Sequence, residues 1–142
     1  MPSSLDKLTI KGFKSIRSVE DFELRKLNVL IGGNGAGKSN LIEFFRMLRA
    51  LIDGNLKSYI KDGGGISDFL HNGRKATEKL EFSMRFGVRG YSFEIIPGPK
   101  ESFSLRREHR YYERGRTGWW FLGNSDDDQS LLVQEAKGNS SD

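Results

Sequence analysis

Apolar and polar residues alternate near the start of the chain, as in a half-buried β-strand. Leu8 and Ile10 lead into Gly12, so they predict a first strand that ends in a turn. Phe22 and Leu24 alternate with charged residues and predict a second strand. The first 24 residues are therefore expected to form two short strands, each with one buried face.

The same period of two returns between residues 80 and 95, at Leu80, Phe82, Met84 and Phe86 and then at Tyr91, Phe93 and Ile95. Glycines at 87 and 90 separate these two groups, and residues 97–99, Pro-Gly-Pro, break the pattern. Phe103 and Leu105, with the arginine-rich stretch to Tyr112, indicate a further strand, and the apolar run 119–122 indicates a last one. This pattern predicts a hairpin followed by two more strands, in an antiparallel meander.

Between these regions the hydrophobic pattern changes twice. Residues 27–31 are a short apolar run of the kind found in a buried parallel strand. From Gly37 the apolar residues recur at helical spacing, at Leu41, Phe44, Phe45, Leu48, Leu51 and Ile52. Gly54 follows as a C-terminal cap. The predicted order is strand, loop and helix.

Two further segments lack strong periodicity. Residues 55–73 are polar and rich in glycine, so we expect an ordered loop anchored by Phe69 and Leu70. From Gly123 the composition shifts to asparagine, serine and aspartate. We therefore divide the chain into a lobe at 1–123 and a polar, flexible tail at 124–142.

Composition narrows the class of protein. The 142 residues suit one domain, and their formal net charge of +4 permits contact with nucleic acid without requiring it. The chain contains no cysteine, which excludes disulfides and thiolate catalysis and fits the cytoplasm. No apolar run reaches the roughly 20 residues that span a bilayer. We expect a cytoplasmic protein with no membrane partner.

Residues 32–39 read GGNGAGKS, which matches the P-loop pattern G-x-x-x-x-G-K-S/T. Glycines allow consecutive backbone N–H groups to turn towards phosphates, Lys38 balances their charge, and the Ser39 hydroxyl completes a Mg²⁺ shell. The helix that follows directs its N-terminal dipole and free N–H groups at the same phosphates. The motif therefore predicts binding of a nucleoside triphosphate with Mg²⁺.

Several segments together resemble one family. They are Gly12-Phe13-Lys14-Ser15, the apolar run, GGNGAGKS followed by Asn40-Leu41-Ile42-Glu43, and Ser67-Asp68-Phe69-Leu70-His71-Asn72-Gly73. In this combination the chain resembles the SMC/RecF-like ABC-type ATPases and is similar to bacterial AAA-type ATPases related to the OLD nucleases. The likeness covers residues 5–123.

The resemblance implies a fold and a site. The fold is α/β, the first lobe of an ABC-type ATPase head, with a P-loop helix between mainly parallel core strands and an antiparallel β-subsheet. Lys14 matches the family's basic residue that lies against the nucleotide. The implied ATP-binding residues are Lys14, Ser15, Gly32, Asn34, Gly35, Ala36, Gly37, Lys38, Ser39 and Asn40, with Ser39 also on Mg²⁺.

The resemblance also implies parts that this sequence lacks. Relatives pair head to tail around two ATP molecules, with a signature serine from the partner and carboxylates from a second lobe. No Leu-Ser-Gly-Gly signature occurs, and Asp53 ends an apolar run on the P-loop helix itself, so we interpret it as a surface residue. Gln129 and Gln134 lie where relatives carry a glutamine near Mg²⁺, but neither is assigned to the site.

We therefore expect ATP hydrolysis only in a longer protein, through a C-terminal lobe and a homodimer, with a role in DNA repair or phage defence. Arginines and aromatic residues at 106–120 offer an alternative, a nucleic-acid-binding module. In a plainer interpretation those arginines pair with Glu108 and Glu113 while the aromatics pack on the P-loop helix. A small-substrate P-loop kinase is a further alternative, whereas a GTPase is disfavoured because Asn-Lys-x-Asp is absent.

Overall fold

The computed structural model describes residues 4–28, 31, 38–125 and 129–138. The strands are β1 Lys7–Phe13, β2 Ile16–Glu23, β3 Leu80–Phe86, β4 Arg89–Pro97, β5 Phe103–Tyr112 and β6 Gly118–Ser125. The helices are α1 Lys38–Asp53, α2 Leu56–Asp62 and α3 Leu131–Gly138, and short 3₁₀ helices span Ile66–Phe69 and Pro99–Glu101. Each strand that the sequence predicts in the first 24 residues and between 80 and 122 is confirmed.

The strands form one six-stranded sheet in the order β2-β1-β3-β4-β5-β6, and each neighbouring pair is antiparallel. The expectation of mainly parallel core strands is thus wrong for the described residues. Short connections join β1 to β2, and β3 through β6 in series, and such connections are compatible only with antiparallel pairing. The mixed α/β architecture with an antiparallel sheet is confirmed.

One face of the sheet buries the hydrophobic core. Phe13 at the end of β1 has no exposed surface, and its ring lies 6.3 Å from Phe44 of α1 and 6.1 Å from Phe69. Phe82 of β3 stacks on Phe44 at 5.1 Å. Each fully buried phenylalanine stabilises the fold by about 1.5–3 kcal/mol. These ring contacts pack α1 and the 55–73 connection against the end of β1.

Helix α1 ends as its sequence predicts. Gly54 has a φ of 77°, its N–H donates to the Leu51 carbonyl at 3.2 Å, and the Asn55 N–H donates to the Ala50 carbonyl at 2.8 Å. These are the two hydrogen bonds of a Schellman cap, which requires the left-handed conformation that glycine adopts without strain. The cap confirms the predicted end of the helix.

The buried face of α1 differs in part from the periodic set. The residues in the core are Phe44, Met47, Ala50 and Leu51, with Leu41 and Leu48 partly buried. Phe45 and Ile52 belong to the same periodic series but remain 38% and 50% exposed. Helical spacing defines a broad apolar stripe, and the position of the sheet decides which part of it is covered.

The apolar run 27–31 is not the predicted buried strand where it is described. Leu27 lies in a bend and is 80% exposed, and Ile31 is outside any strand and 90% exposed. Val29 and Leu30 lie outside the described residues. The Asn28 side chain accepts from the Arg25 N–H at 3.0 Å and donates to the Arg25 carbonyl at 2.8 Å. This local bonding competes with a sheet ladder.

Residues 55–73 contain more helix than composition predicted. The expectation of a loop is wrong for α2, whose Leu56 and Ile60 are both buried one helical turn apart. The anchoring role of Phe69 and Leu70 is confirmed, since both are buried and Leu70 bridges to Phe13. Composition did not indicate this short helix, because lysines lie within it and three glycines follow it.

A buried carboxylate joins α3 to the sheet. Glu108 of β5 has no exposed surface and accepts hydrogen bonds from the Tyr91 hydroxyl at 2.5 Å, the Ser130 hydroxyl at 2.8 Å and the Leu131 N–H at 3.0 Å. Burial and the nearby Glu108 charge raise the pKa of Tyr91 above its ordinary value. Composition did not indicate a helix here, and the division at Gly123 stays a prediction.

Candidate functional site at the start of helix α1

The first turn of α1 presents the end of the P-loop motif. Lys38 and Ser39 are the first two residues of this helix and both are exposed. The first turn contains no acidic residue. The N–H groups of a first turn have no partner within the helix, and the helix dipole favours an anion there. The predicted residues Gly32, Asn34, Gly35, Ala36 and Gly37 lie outside the described part of the chain.

The turn between β1 and β2 is hydrogen-bonded to this helix start. The Asn40 side-chain amide donates to the Ser15 hydroxyl at 2.5 Å, although 25 residues separate them in sequence. Lys14 has a φ of 51°, and its N–H donates to the Phe69 carbonyl at 2.8 Å. The structure therefore brings together Lys14, Ser15 and Asn40, three residues that the resemblance implied for one site.

The Lys14 ammonium group lies between a carboxylate and a ring. Its Nζ is 3.7 Å from Glu43 Oε1 and 4.5 Å from the centre of the Phe69 ring. The Tyr59 hydroxyl donates to the same Glu43 oxygen at 2.6 Å. Burial, followed by the hydrogen bond and charge of Glu43, raises the pKa of Tyr59. Glu43 was missed as a partner of Lys14, and only its place one helical turn after Asn40 could have indicated it.

The His71 side chain is hydrogen-bonded to the Lys14 backbone. Its Nδ1 lies 2.7 Å from the Lys14 carbonyl, and a carbonyl oxygen can only accept, so Nδ1 carries the proton. The Asn72 side-chain amide lies 3.3 Å from Nε2. The His71 N–H also donates to the Gly12 carbonyl at 2.8 Å. His71 therefore holds the turn in place through its backbone and its ring.

The 3₁₀ helix Ile66–Phe69, which is hydrogen-bonded to Lys14, is held in place by a second carboxylate, Glu101. The backbone N–H and the hydroxyl of Ser67 donate to Glu101 at 2.9 and 2.6 Å. These hydrogen bonds, the side-chain bond first, lower the pKa of Glu101. Arg74 donates to the Ser67 hydroxyl and to the Gly98 carbonyl, each at 2.7 Å. Ser67, Arg74 and Glu101 thus form one hydrogen-bonded cluster next to the Lys14 turn.

The described residues fit a phosphate ligand and a bound Mg²⁺ ion. A helix start without acidic residues, with two cationic side chains close by, favours an anion. Among the described residues there is no cluster of three or more histidine, cysteine, aspartate or glutamate side chains that could hold a metal. Mg²⁺ commonly takes one or two protein oxygens together with phosphate oxygens and water. Among the described residues of the P-loop motif, Ser39 has an exposed hydroxyl that suits that role.

Two residues considered in the sequence lie far from this site. Asp53 ends α1, is exposed, and pairs with Arg49 at 2.9 Å, so its interpretation as a surface residue is confirmed. Gln129 approaches Gly54 at the same C-terminal end. At 1.5 Å per residue, Gly54 lies roughly 22 Å along the helix from Ser39. In this structure Gln129 is not near the P-loop end of α1.

Comparisons with known proteins agree with this geometry. Residues 27–141 match a family described as "AAA domain, putative AbiEii toxin, Type IV TA system". The chain belongs to this AAA-domain family. The match spans most of the chain and includes the P-loop motif, α1 and the meander, so it supports an ATPase-type nucleotide-binding domain. A search of curated proteins found no significant match, and neither did a search of solved structures.

The arginine-rich strand differs from its plainer interpretation. Glu108 does not neutralise surface arginines, because it lies buried against Tyr91, Ser130 and Leu131. Trp119 and Trp120 are 43% and 40% exposed, so α1 does not bury them. The Glu113 carboxylate does approach an arginine, Arg85, at 3.7 Å.

Membrane insertion by a helix finds no support in the described residues. None of the helices described between residues 4 and 138 is long and apolar enough to cross a bilayer. The longest of them, α1, carries charged residues on its exposed side.

Proposed function

We propose that this chain is the MgATP-binding lobe of a cytoplasmic ATPase of the SMC/RecF-like type. The single observation that carries the proposal is the convergence at the start of α1. Lys38 and Ser39 of the P-loop motif open the helix, and Asn40 in the same turn is bonded to Ser15 of the β1–β2 turn. Membership of an AAA-domain family supports nucleotide binding.

In this proposal the P-loop residues have the roles that their sequence motif predicts. The motif at 32–37 supplies backbone N–H groups to the phosphates, and Lys38 balances the phosphate charge. The Ser39 hydroxyl would hold Mg²⁺, and a bound ion would supply Lewis-acid stabilisation of phosphate charge. Lys14 projects from a rigid turn beside the helix start, where its ammonium group exchanges Glu43 for a phosphate. Asn40 and Ser15 hold that turn against α1.

Hydrolysis in this proposal needs groups from outside the 142 residues. Phosphoryl transfer requires a carboxylate near Mg²⁺ and a group that orients the attacking water. The acid at the end of the apolar run, Asp53, lies at the wrong end of α1. We propose that a further lobe and a second copy supply these groups, and that the complete ATPase acts in DNA repair or phage defence.

The test is binding of a fluorescent ATP analogue to the chain in Mg²⁺, with GTP as competitor and phosphate release measured alongside. The Lys38→Ala variant loses a charge-assisted phosphate contact and is expected to bind about 10–100-fold more weakly. Lys61→Ala removes an exposed lysine from α2 and serves as the matched control. Its affinity should equal that of the wild-type chain.

The outcomes separate the parts of the proposal. Binding that depends on Lys38, without phosphate release, supports a binding lobe that needs further groups for hydrolysis. Steady phosphate release by this chain alone would overturn the need for those groups. Equal affinity of the Lys38→Ala and Lys61→Ala variants would overturn the assignment of the P-loop. Stronger competition by GTP than by ATP would overturn the choice of nucleotide.

A further inference from the structure

The end of the sheet away from Lys14 carries an open groove lined by cations and rings. The strand register places Lys7 of β1 opposite Arg85 of β3, so this end holds the β3–β4 and β5–β6 turns, whereas Phe13 lies at the Lys14 end. The groove consists of two adjoining shallow concavities of about 620 and 270 Å³. We define this arginine–aromatic groove by six of its residues: Arg89, Arg110, Tyr112, Arg114, Arg116 and Trp120.

Strand register explains why these residues share one face. Arg110 of β5 lies directly opposite Tyr91 of β4 and Trp120 of β6. Residues directly opposite each other in an antiparallel pair project from the same face. Tyr91 is buried on the core face, so Arg110 and Trp120 lie on the continuation of that face beyond the core. Arg107 and Trp119, in contrast, line a concavity on the other face.

Within the groove, guanidinium groups lie over aromatic rings. The Arg89 and Arg110 groups are 6.0 and 5.7 Å from the centre of the Tyr112 ring, and the Arg116 group is 6.0 Å from that of Trp120. Tyr112 and Trp120 nevertheless remain 37% and 40% exposed. The rings therefore keep surface on which a planar ligand could stack.

The charge balance of the groove is positive. Glu135 of α3 pairs with Arg110 at 3.0 Å. The Glu113 carboxylate pairs with Arg85, outside the groove, at 3.7 Å. Arg114 and Arg116 lie in the exposed turn 113–117, on either side of Gly115. The groove thus presents more cationic than anionic side chains, on a chain whose formal net charge is +4.

We propose that the arginine–aromatic groove binds single-stranded nucleic acid. Cations track a phosphate backbone, and exposed rings stack unpaired bases, which is the combination that single strands require. An acidic peptide would use the arginines but not the rings, and a duplex would keep its bases stacked on one another. An open, shallow groove also suits a polymer that enters and leaves at both ends better than an enclosed small ligand.

This activity goes beyond nucleotide binding and is separate from it in space. The groove lies at the opposite end of the strands from the Lys14 turn. Loss of Lys38 should therefore leave binding to an oligonucleotide unchanged. Loss of groove arginines should leave ATP-analogue binding unchanged, so the two proposals can fail independently.

The chain contains its own reporter for this test. Its two tryptophans, Trp119 and Trp120, both lie on β6 at this end of the sheet. Because Trp119 lies on the other face, a base stacked in the groove should quench the fluorescence of Trp120, so titration with an oligothymidylate without ATP or Mg²⁺ measures binding without a label. Fluorescence anisotropy of a labelled oligonucleotide provides the second readout for variants that lose a tryptophan.

Matched variants assign the effect to the groove. Arg114→Ala with Arg116→Ala removes two charges from an exposed turn, and Arg17→Ala with Arg25→Ala removes two exposed charges from the region of β2. The first pair should weaken binding at least tenfold and reduce the salt slope, d log K/d log [salt], by about 1.4. The second pair should change affinity less than twofold. Trp120→Ala should weaken binding about tenfold, and Trp120→Phe should retain it.

Several results would overturn the proposal. These are the absence of saturable quenching, equal effects of the two arginine pairs, and a Trp120→Ala chain that binds like Trp120→Phe while both remain folded by circular dichroism. Tighter binding of a duplex of the same length would exclude single-strand recognition. Tighter binding to anionic phosphatidylserine vesicles than to the oligonucleotide would identify a lipid surface as the partner and also overturn the proposal.

Discussion

The two ends of the sheet present positive charge in different ways. At the Lys14 end, the Lys14 backbone N–H donates to the Phe69 carbonyl, and the Lys14 ammonium group pairs with Glu43. At the other end, the exposed rings are those of Tyr112 and Trp120. Arg89 at the start of β4 and Arg114 and Arg116 in the turn 113–117 lie around them. A fixed, paired charge suits a small ligand of defined geometry, whereas repeated charges beside rings suit a flexible polymer.

The supports of the two ends differ as well. The Lys14 turn rests on a network of backbone and side-chain bonds that involves His71, Ser67 and Glu101. The groove end rests on α3, which the buried carboxylate of Glu108 and an exposed Glu135–Arg110 ion pair join to the sheet. Loss of a single group should therefore damage the groove end more than the Lys14 end. The predictions below follow from that difference, from the largest effect to the smallest.

The largest effect is expected at Glu108. Glu108→Ala leaves the Tyr91 and Ser130 hydroxyls and the Leu131 N–H without their acceptor in a buried position. Such groups cost about 1–3 kcal/mol each when unsatisfied. The two hydroxyls lie 3.0 Å apart and can bond each other, so one hydroxyl and the Leu131 N–H lose their acceptor, and we expect a loss of at least about 2 kcal/mol in the free energy of unfolding. Urea denaturation followed by circular dichroism measures this loss.

Glu113→Ala is the control for Glu108→Ala, since it removes an exposed carboxylate near the end of β5. It should change the free energy of unfolding by about 0.5 kcal/mol or less. An equally small change for Glu108→Ala would contradict the anchoring role of the buried carboxylate. It would also remove the contrast between the supports of the two ends.

The second prediction concerns the turn before Lys14. Gly12 has a φ of 75°, and a Cβ there would lie 2.8 Å from the Lys79 carbonyl oxygen and from the Thr77 methyl group. Gly12→Ala therefore adds a steric clash to backbone strain and should destabilise the chain by about 1–3 kcal/mol. We also expect weaker ATP-analogue binding, because the clash displaces the turn that carries Lys14. Thermal unfolding and the binding titration test both effects.

Gly115→Ala separates strain from crowding. Gly115 has a similar φ of 80°, but nothing lies within 4 Å of a Cβ added there. This variant therefore reports the strain of the left-handed conformation alone, about 1 kcal/mol. The interpretation of the Lys14 turn would be wrong if the two alanine variants lost equal stability and kept equal nucleotide affinity.

The third prediction concerns the charge that faces Lys14. Glu43→Gln keeps an acceptor for the Tyr59 hydroxyl but removes the anion 3.7 Å from Lys14 Nζ. Both side chains are only partly buried, so we expect about a two- to fivefold rise in ATP-analogue affinity at low salt. Asp53→Asn, at the far end of the same helix, should have no effect. A lower affinity for Glu43→Gln would contradict the exchange of Glu43 for a phosphate.

The smallest effect is a pH dependence at Glu101. Because its hydrogen bonds from Ser67 lower the pKa of Glu101, the carboxylate stabilises the fold above its unfolded pKa of 4.5. That contribution disappears as the pH falls through the lowered pKa. The wild-type chain should therefore be more stable than Glu101→Gln at pH 7, and the two should converge towards pH 3. A constant difference across that range would contradict the assignment, and Glu78→Gln in the exposed loop before β3 is the control.

Much of the fold could be predicted because its pattern is local. Hydrophobic patterning located all six strands, and helical spacing with Gly54 located α1 and its end. Short helices were harder, since α2 has only one buried pair, Leu56 and Ile60, and α3 depends on Glu108 from a distant strand. The run 27–31 has the composition of a buried strand, but its described residues are exposed. Composition shows which residues favour a strand, not whether a neighbouring strand is present.

The sequence by itself determined the P-loop motif, the helix that follows it and the alternating strands. These features depend on residues close together in the chain and on backbone preferences that act locally. Only the tertiary structure decided that Lys14 meets Glu43, that Asn40 meets Ser15, and that Glu108 is a buried anchor and not a surface partner. It also divided the arginine-rich strand between two faces. Such pairings depend on strand register and helix docking, which bring together residues from distant parts of the chain.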